Sequence, residues 1–216
     1  MHGNGGSISG ASAHYGELIK KYKVIAIDSR AQGRSSDTNK ELTYEQMASD
    51  VNELLNQLGI DSTFIWGYCD GAISSLIMAI NYPKKVKKVV AFGANIVSDS
   101  TGIVPSIYRV IEKESKNGKT EKERKLATLM LKHPNIPFEQ LKKIQAEILI
   151  MSGDRDAVPL SHTVDIFKHI PNAQLCVIPG STHGAVWEKK DLFLQLLTDF
   201  FEKPFTMPNT EDWFRE

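Results

Sequence analysis

The chain has 216 residues, of which 41% are hydrophobic and 24% charged, a balance that is ordinary for one globular domain. Its 26 basic and 26 acidic residues cancel, so net charge favours neither nucleic acid nor an anionic membrane as a partner. The two cysteines are far apart and form no disulfide framework, and no apolar run is long enough for a membrane span. We therefore expect a single domain over residues 1–216 with small or neutral partners. A reducing cytoplasm is the default location, unless a secretory leader once lay upstream of Met1.

The first part of the chain predicts two helices separated by a strand. In chain order we expect a glycine-rich loop at His2–Ser7, a helix at Ser12–Lys20, a strand at Lys21–Asp28 and a polar loop at Ser29–Asp37. Thr43 and Gln46 then have the spacing of a capping box, and apolar residues on one helical face follow until Gly59. This second helix has the clearest pattern in the sequence.

The middle of the chain alternates strands and helices. An apolar run at Thr63–Trp66, a helix at Ala72–Asn81 and a strand at Val86–Phe92 predict a parallel α/β sheet. From Gly93 to about Gln145 this alternation stops, and apolar residues recur at helical spacing around a highly charged stretch. We expect a small helical cap insertion over residues 97–143, with its charges solvated.

The alternation resumes in the last third. The predicted elements are a strand at Ala146–Met151, a loop at Ser152–Pro159, a helix at Ser161–His169, a strand at Gln174–Ile178, a loop at Gly180–Gly184 and a helix at Trp187–Phe201. In the last helix Leu192, Leu196 and Phe200 are spaced for one buried face.

Residues 67–71 (GYCDG) lie between the apolar run and the helix that follows it. Two glycines around a central residue between a strand and a helix are typical of a nucleophile elbow, a strained turn that lifts one side chain above the sheet. The central residue here is Cys69. A thiol in this place is helped by the helix N-terminus, which favours a negatively charged sulfur.

Polar residues follow several of the predicted strands. Cys69 follows one strand, Asp156 another, and His183 the last. The carboxyl ends of parallel strands meet at one rim, where ligands bind in sheets of this class. Nucleophile, acid and histidine also occur in the order of the α/β-hydrolase triad.

Five motifs in the same order carry a resemblance to a known family. They are HGNGGS, DSRAQGRSS, GYCDGA, SGDRDAVP and PGSTHG. Together they resemble the oxyanion, arginine, elbow, acid and histidine loops of the α/β-hydrolase fold family, of the single-domain esterase and lipase-like type, with Ala31 in place of a glycine. The resemblance covers essentially the whole chain. It implies an α/β fold with a mostly parallel sheet flanked by helices, truncated at its N-terminal side.

The resemblance also implies roles for individual residues. Cys69 would be the nucleophile, His183 the general base and acid, and Asp156 the group that orients the imidazole. The backbone N–H of Asp70 and one from Gly3 or Asn4 would form the oxyanion hole, and Tyr68 would line the substrate pocket. His2 is expected to support the oxyanion loop. No cofactor and no metal is required.

Two departures from the family pattern leave alternatives open. The first departure is that Cys69 stands where the family has serine. Dienelactone hydrolases of this superfamily use a Cys-His-Asp triad, so the thiol can be a working nucleophile. A thiol in a site shaped for serine can also leave a slow or inactive enzyme. The strands that precede the HG loop in the family are absent, one of them central. The strand ending at Asp28 then pairs directly with the elbow strand, or a second chain supplies the edge, or the sequence is part of a longer protein.

The sequence therefore predicts a hydrolase of carboxylic esters or thioesters that acts through a Cys-His-Asp triad on a small ester-like substrate. Cleavage of a C–C bond or a lactone is an alternative within the enzyme class. The alternative outside it is a degenerate scaffold that binds a small apolar ligand. Oligomeric state stays open, and a homo-oligomer is compatible with the sequence.

Overall fold

In the computed structural model, which describes residues 1–37 and 40–214, a parallel sheet is covered by helices. The strands of this sheet are β1 (Thr63–Tyr68), β2 (Val86–Phe92), β3 (Glu147–Arg155) and β4 (Ala173–Thr182). They lie in the order β1-β2-β3-β4, and every neighbouring pair is parallel. The predicted α/β class is confirmed.

The register of the sheet brings the carboxyl ends of its strands together. Tyr68 pairs with Phe92, and Phe92 pairs with Met151. The residues just beyond these positions therefore emerge at one rim. Val89 and Val90 of β2 are completely buried, because helices cover both faces of the sheet.

The helices that the sequence predicts occur in the predicted order, and one further short helix at Phe138–Leu141 was not predicted. They are α1 (Ser12–Leu18), α2 (Tyr44–Gln57), α3 (Asp70–Asn81), α4 (Pro105–Asn117), α5 (Glu121–Lys132), α6 (Phe138–Leu141), α7 (Leu160–His169), α8 (Ala185–Glu188) and α9 (Lys190–Glu202). Short 3₁₀ helices occupy Pro83–Lys85 and Thr210–Phe214. Within the described ranges, none of the helices has the length and apolar character needed to cross a membrane.

Helix α2 begins as its sequence pattern predicts. The hydroxyl of Thr43 accepts a hydrogen bond from the backbone N–H of Gln46, which satisfies one of the free donors at the helix start. Met47, Val51 and Leu55 form the buried face.

Helices α4 and α5 lie within the predicted insertion. Ile111 and Ala127 form a small cluster between them, whereas most of their charged residues face solvent. The helical character of this region is as expected. The boundaries 97–143 of a cap insertion stay a prediction.

The prediction of a strand at Lys21–Asp28 is wrong. Residues 23–29 have no regular secondary structure, belong to no sheet and do not pair with β1. A strand needs a neighbour for its backbone hydrogen bonds, and local sequence does not reveal whether one is present. A groove separates this segment from β1 instead.

The last helix also differs from its prediction. The helix is interrupted at Lys189, between α8 and α9. Within α9 the buried face lies one residue further along than predicted: Leu192 is 42% exposed, and Phe193 and Leu197 occupy the core in its place. Phe200 is buried, as expected.

Candidate active site

Cys69 stands on a strained turn between β1 and α3. Its backbone has φ 53° and ψ −118°, a conformation that L-residues rarely adopt. Glycines make the turn feasible: a Cβ on Gly67 would lie 2.3 Å from the carbonyl oxygen of Gly71, and one on Gly71 would lie 2.3 Å from that of Met1. The sequence GYCDG therefore forms the geometry of a nucleophile elbow.

The loops after β3 and β4 bring an acid and a histidine together. The Nδ1 atom of His183 lies 2.6 Å from Oδ1 of Asp156. The same carboxylate accepts hydrogen bonds from the backbone N–H groups of Gly153 and Val158, which fix its orientation. The neighbouring Asp154 instead accepts from Gly180 and Ser181 and closes the histidine loop. Asp156 is therefore the acid that meets the imidazole.

The imidazole of His183 also faces the thiol of Cys69. Burial would lower the pKa of His183, but the negative charge of a Cys69 thiolate and hydrogen bonds with Asp156 and Cys69 raise it well above its usual value. Gly93 leaves room for the ring, since a Cβ there would lie 2.5 Å from its Cε1 atom. The imidazole therefore lies between the Asp156 carboxylate and the Cys69 side chain.

Backbone donors surround the elbow. A Cβ on Gly3 would lie 2.9 Å from Cβ of Cys69, so the HG loop is in contact with the turn. Among the described residues, the N–H groups of Gly3, Asn4 and Asp70 have no hydrogen-bond partner. Free donors beside a nucleophile are what an oxyanion hole requires, and that role stays a prediction for these three residues.

His2 holds the HG loop in place, as expected. It is buried; its Nδ1 atom lies 2.8 Å from the carbonyl oxygen of Gly3, and its Nε2 atom accepts a hydrogen bond from the N–H of Ser29. Burial lowers the pKa of His2, which favours the neutral ring that these bonds require. His2 thus links the HG loop to the loop that follows residue 28.

Asp70 contributes a buried carboxyl group as well as its N–H. Oδ2 accepts a 2.8 Å hydrogen bond from the Asn4 amide, and Oδ1 accepts a 3.0 Å bond from the Tyr44 hydroxyl. Oδ1 also lies 3.8 Å from the sulfur of Cys69. Burial raises the pKa of Asp70 to about 6, against the lowering effect of these hydrogen bonds. The sequence did not predict this network, because no local pattern relates Tyr44 to the elbow.

A cavity of about 230 Å³ opens on Cys69 and His183. Its lining is Tyr44, Cys69, Asp70, Gly93, Asn95, Ile103, Ile107, Ile111, Met130, Ala157, Val158 and His183. The apolar part of this lining comes largely from the region of α4 and α5. Tyr68 lies on another side of the site: its ring centroid is 5.1 Å from that of His183 and 4.8 Å from that of Trp187. A substrate contact by Tyr68 stays a prediction.

Comparison with known proteins identifies the family. The family model for the alpha/beta hydrolase fold matches residues 1–109. The chain belongs to this family and is one of its hydrolases, as the five motifs predict.

Individual relatives agree with this assignment. The chain is 27% identical over 205 residues to human "Serine hydrolase BPHL", an alignment that covers 85% of this chain and 70% of that protein. It is 26% identical over 247 residues to a Comamonas testosteroni 2-hydroxy-6-oxononadienedioate/2-hydroxy-6-oxononatrienedioate hydrolase, covering 93% of this chain and 85% of that one. The crystal structure of MGS-M2, an alpha/beta hydrolase enzyme from a Medee basin deep-sea metagenome library, superposes with a TM-score of 0.81 at 20% identity. That superposition covers 97% of this chain and 90% of the other.

Proposed function

We propose that the protein hydrolyses carboxylic esters or thioesters by acyl transfer through Cys69, His183 and Asp156. The observation that carries the proposal is the 2.6 Å contact between His183 Nδ1 and Asp156 Oδ1. The imidazole of His183 also faces the thiol of Cys69, which stands on the strained turn. A carboxylate behind the ring and a nucleophile in front of it form the arrangement that acyl transfer requires.

The first half-reaction transfers the acyl group to sulfur. The Cys69 thiolate attacks the carbonyl carbon, and the carbonyl oxygen becomes an anion that accepts hydrogen bonds from the N–H of Asp70 and of Gly3 or Asn4. The bond from carbon to the leaving oxygen or sulfur then breaks. His183 gives its Nε2 proton to the leaving group, and a thioester on Cys69 remains.

The second half-reaction consumes water. His183, now neutral, takes a proton from a water molecule whose oxygen attacks the thioester carbon. The carbon–sulfur bond breaks, the acid is released, and the thiolate and imidazolium pair is restored. Asp156 keeps the same ring orientation throughout by accepting from Nδ1.

The cavity at the nucleophile suggests a small acyl group. Its volume of about 230 Å³ lies below the range of roughly 300 to 1,000 Å³ that is typical of sites for drug-sized ligands. Ile103, Ile111 and Val158 in its lining favour an apolar acyl chain. We therefore expect short aliphatic acyl groups to react faster than long ones.

A second candidate is cleavage of a C–C bond beside a carbonyl, in a 2-hydroxy-6-oxo acid of the kind named for the Comamonas relative. The same nucleophile, base and oxyanion donors would serve that reaction. The relative's 26% identity over 93% of this chain is the observation that favours it.

The proposal is tested by measuring the initial rates at which three proteins hydrolyse aryl acetate, butyrate and octanoate. The proteins compared are the unmodified chain, Cys69→Ala and Cys69→Ser. Cys176→Ala is the matched control, because Cys176 is also a free thiol but lies within β4 and does not line the cavity at Cys69 and His183. We expect turnover in the unmodified protein and the control, and none in Cys69→Ala. An unmodified protein that hydrolyses neither these esters nor a 2-hydroxy-6-oxo acid would refute the proposal and favour the binding scaffold. Hydrolysis of a 2-hydroxy-6-oxo acid without ester turnover would favour the second candidate.

A further inference from the structure

Glu188 binds the residue next to the candidate catalytic histidine through both of its carboxylate oxygens. Thr182 directly precedes His183, and Glu188 is the last residue of α8. Oε2 of Glu188 accepts a 2.8 Å hydrogen bond from the N–H of Thr182, and Oε1 accepts a 2.6 Å bond from the Thr182 hydroxyl. Two oxygens of one side chain therefore bind two donors of one residue, which fixes their relative orientation.

The residue that follows His183 is bonded to Glu188 as well. The hydroxyl of Thr182, which donates to Glu188, accepts a 3.0 Å hydrogen bond from the N–H of Gly184. The N–H of Glu188 in turn donates a 3.0 Å bond to the carbonyl oxygen of Gly184. A Cβ at position 184 would lie 3.2 Å from Oε1 of Glu188, so the two residues are in close proximity. The backbone on both sides of His183 is therefore held by Glu188.

The sheet alone does not fix the position of His183. Thr182 pairs with Arg155 and is the last residue of β4 in its pairing with β3. The ring of His183 contacts that of Tyr68 at a centroid distance of 5.1 Å. Aromatic pairs are favourable over centroid distances of about 4.5 to 7 Å, so this contact tolerates movement of the ring. The distance from the ring to Asp156 therefore depends on the backbone next to His183.

The bonds of Glu188 are charge-assisted but exposed. The hydroxyl and N–H of Thr182 hold the pKa of Glu188 below its usual value, so the carboxylate is ionised at neutral pH. Hydrogen bonds to an ionised acceptor are shorter and stronger than neutral ones. Because both residues are exposed, these bonds contribute little to the free energy of unfolding. Their effect is local, but a displacement of about 1 Å in a catalytic group can lower a rate on the order of 100-fold.

We propose that Glu188 is a positioning residue for His183: by binding both donors of Thr182 it holds the imidazole where Nδ1 meets Asp156 and the ring faces Cys69. Its consequence for catalysis rests on the proposed acyl transfer, whereas its effect on the ring does not. Without the carboxylate, Thr182 binds water instead, the backbone at His183 moves, and the 2.6 Å contact with Asp156 lengthens. The ring then spends less time in the orientation that proton transfer requires.

The test compares Glu188→Ala and Glu188→Gln with the unmodified protein and with Glu139→Gln. Glu139 is the matched control, because it is also an exposed glutamate bonded to a nearby side chain, that of Lys142, but lies in α6. Aryl acetate hydrolysis gives kcat and KM, and thermal unfolding gives the midpoint. Proton–nitrogen correlation spectra of the histidine rings report whether the Nδ1 proton of His183 stays bound to Asp156, and His183→Ala assigns the signals.

Removing the carboxylate should impair catalysis without destabilising the fold. We expect kcat of Glu188→Ala to fall about 10-fold or more, with KM within about twofold and the midpoint within about 2 °C of the unmodified protein. The Nδ1 signal of His183 should shift in this variant, and the signals of the other histidines should not. Glu188→Gln keeps one acceptor oxygen and should lie between the two proteins in both readouts. Glu139→Gln should match the unmodified protein.

An unchanged kcat or an unchanged Nδ1 signal of His183 in Glu188→Ala would overturn the proposal, because a positioning residue must act through the ring. If the unmodified protein hydrolyses no ester, the proposed function fails, and the Nδ1 signal alone decides: a shift in Glu188→Ala supports the positioning role and an unshifted signal refutes it. Should Glu188→Ala fail to fold, Thr182→Val removes the hydroxyl donor and is judged by the same outcomes.

Discussion

The side-chain amide of Asn4 donates a 2.8 Å hydrogen bond to the carboxyl group of Asp70, a residue 66 positions away in the chain. The two residues belong to different sides of the site, since Asn4 lies in the HG loop and Asp70 begins α3 immediately after Cys69. Tyr44, at the start of α2, binds the same carboxyl group. The elbow, the HG loop and α2 are thus held together at one buried carboxyl group.

Removing the amide of Asn4 should impair catalysis more than binding. In Asn4→Ala the HG loop loses its tie to the elbow, and a displaced oxyanion donor lowers kcat about 10- to 100-fold with a smaller change in KM. Aryl acetate kinetics measure both constants. Asn172→Ala, which removes an exposed amide bonded to the carbonyl of Gln145, is the control and should keep the original kcat. An unchanged kcat in Asn4→Ala would show that the bond has no positioning role.

The two aspartates of the acid loop should respond differently to the same change. Asp156→Asn removes the carboxylate that fixes the His183 ring, and kcat should fall on the order of 10³- to 10⁴-fold. Asp154→Asn weakens hydrogen bonds to the N–H groups of Gly180 and Ser181, which mainly lowers the free energy of unfolding and leaves kcat nearly unchanged. Steady-state rates and urea unfolding of both variants distinguish the roles. A greater loss of kcat in Asp154→Asn would reverse the assignment.

Buried Asp70 should make stability depend on pH. Burial raises its folded pKa from 3.8 to about 6, so the folded protein binds a proton more tightly than the unfolded chain between these values. The free energy of unfolding therefore falls as pH rises from 4 to 6, and Asp70→Asn removes this loss. We expect the variant to gain on the order of 3 kcal/mol relative to the unmodified protein across this range. Urea unfolding at several pH values measures the difference, and a difference that does not change with pH would contradict the burial effect.

Glycines of the turn should tolerate no side chain. A Cβ at position 67 would lie 2.4 Å from the Ser75 hydroxyl as well as against the backbone of Gly71, so Gly67→Ala should lower the free energy of unfolding by about 1 to 3 kcal/mol. Gly16→Ala is the matched control: position 16 lies in α1 with nothing within 4 Å of an added Cβ. That change should stabilise the helix by about 0.5 to 1 kcal/mol. Similar effects of both changes on thermal unfolding would argue against the close packing of the elbow.

Local signals predicted most of the fold and the places of the site residues. Cys69, Asp156 and His183 each follow a strand whose apolar run is visible in the sequence, and parallel topology brings such positions to one rim. Lys21–Asp28 has an equally apolar run, but a strand also requires a neighbour, and that information is not local. The bond between Tyr44 and Asp70 was missed for the same reason, because it depends on how α2 packs against the elbow.

If the Cys69 sulfur carries the acyl group, acid quenching during turnover of an aryl butyrate traps the acyl-enzyme for intact-protein and peptide mass spectrometry. We expect a butyryl adduct on the peptide containing Cys69 and none on the peptide containing Cys176. In His183→Ala, an adduct formed with a reactive ester should accumulate. Ester turnover with no adduct on Cys69, or an adduct that persists unchanged while product accumulates, would contradict acyl transfer through Cys69.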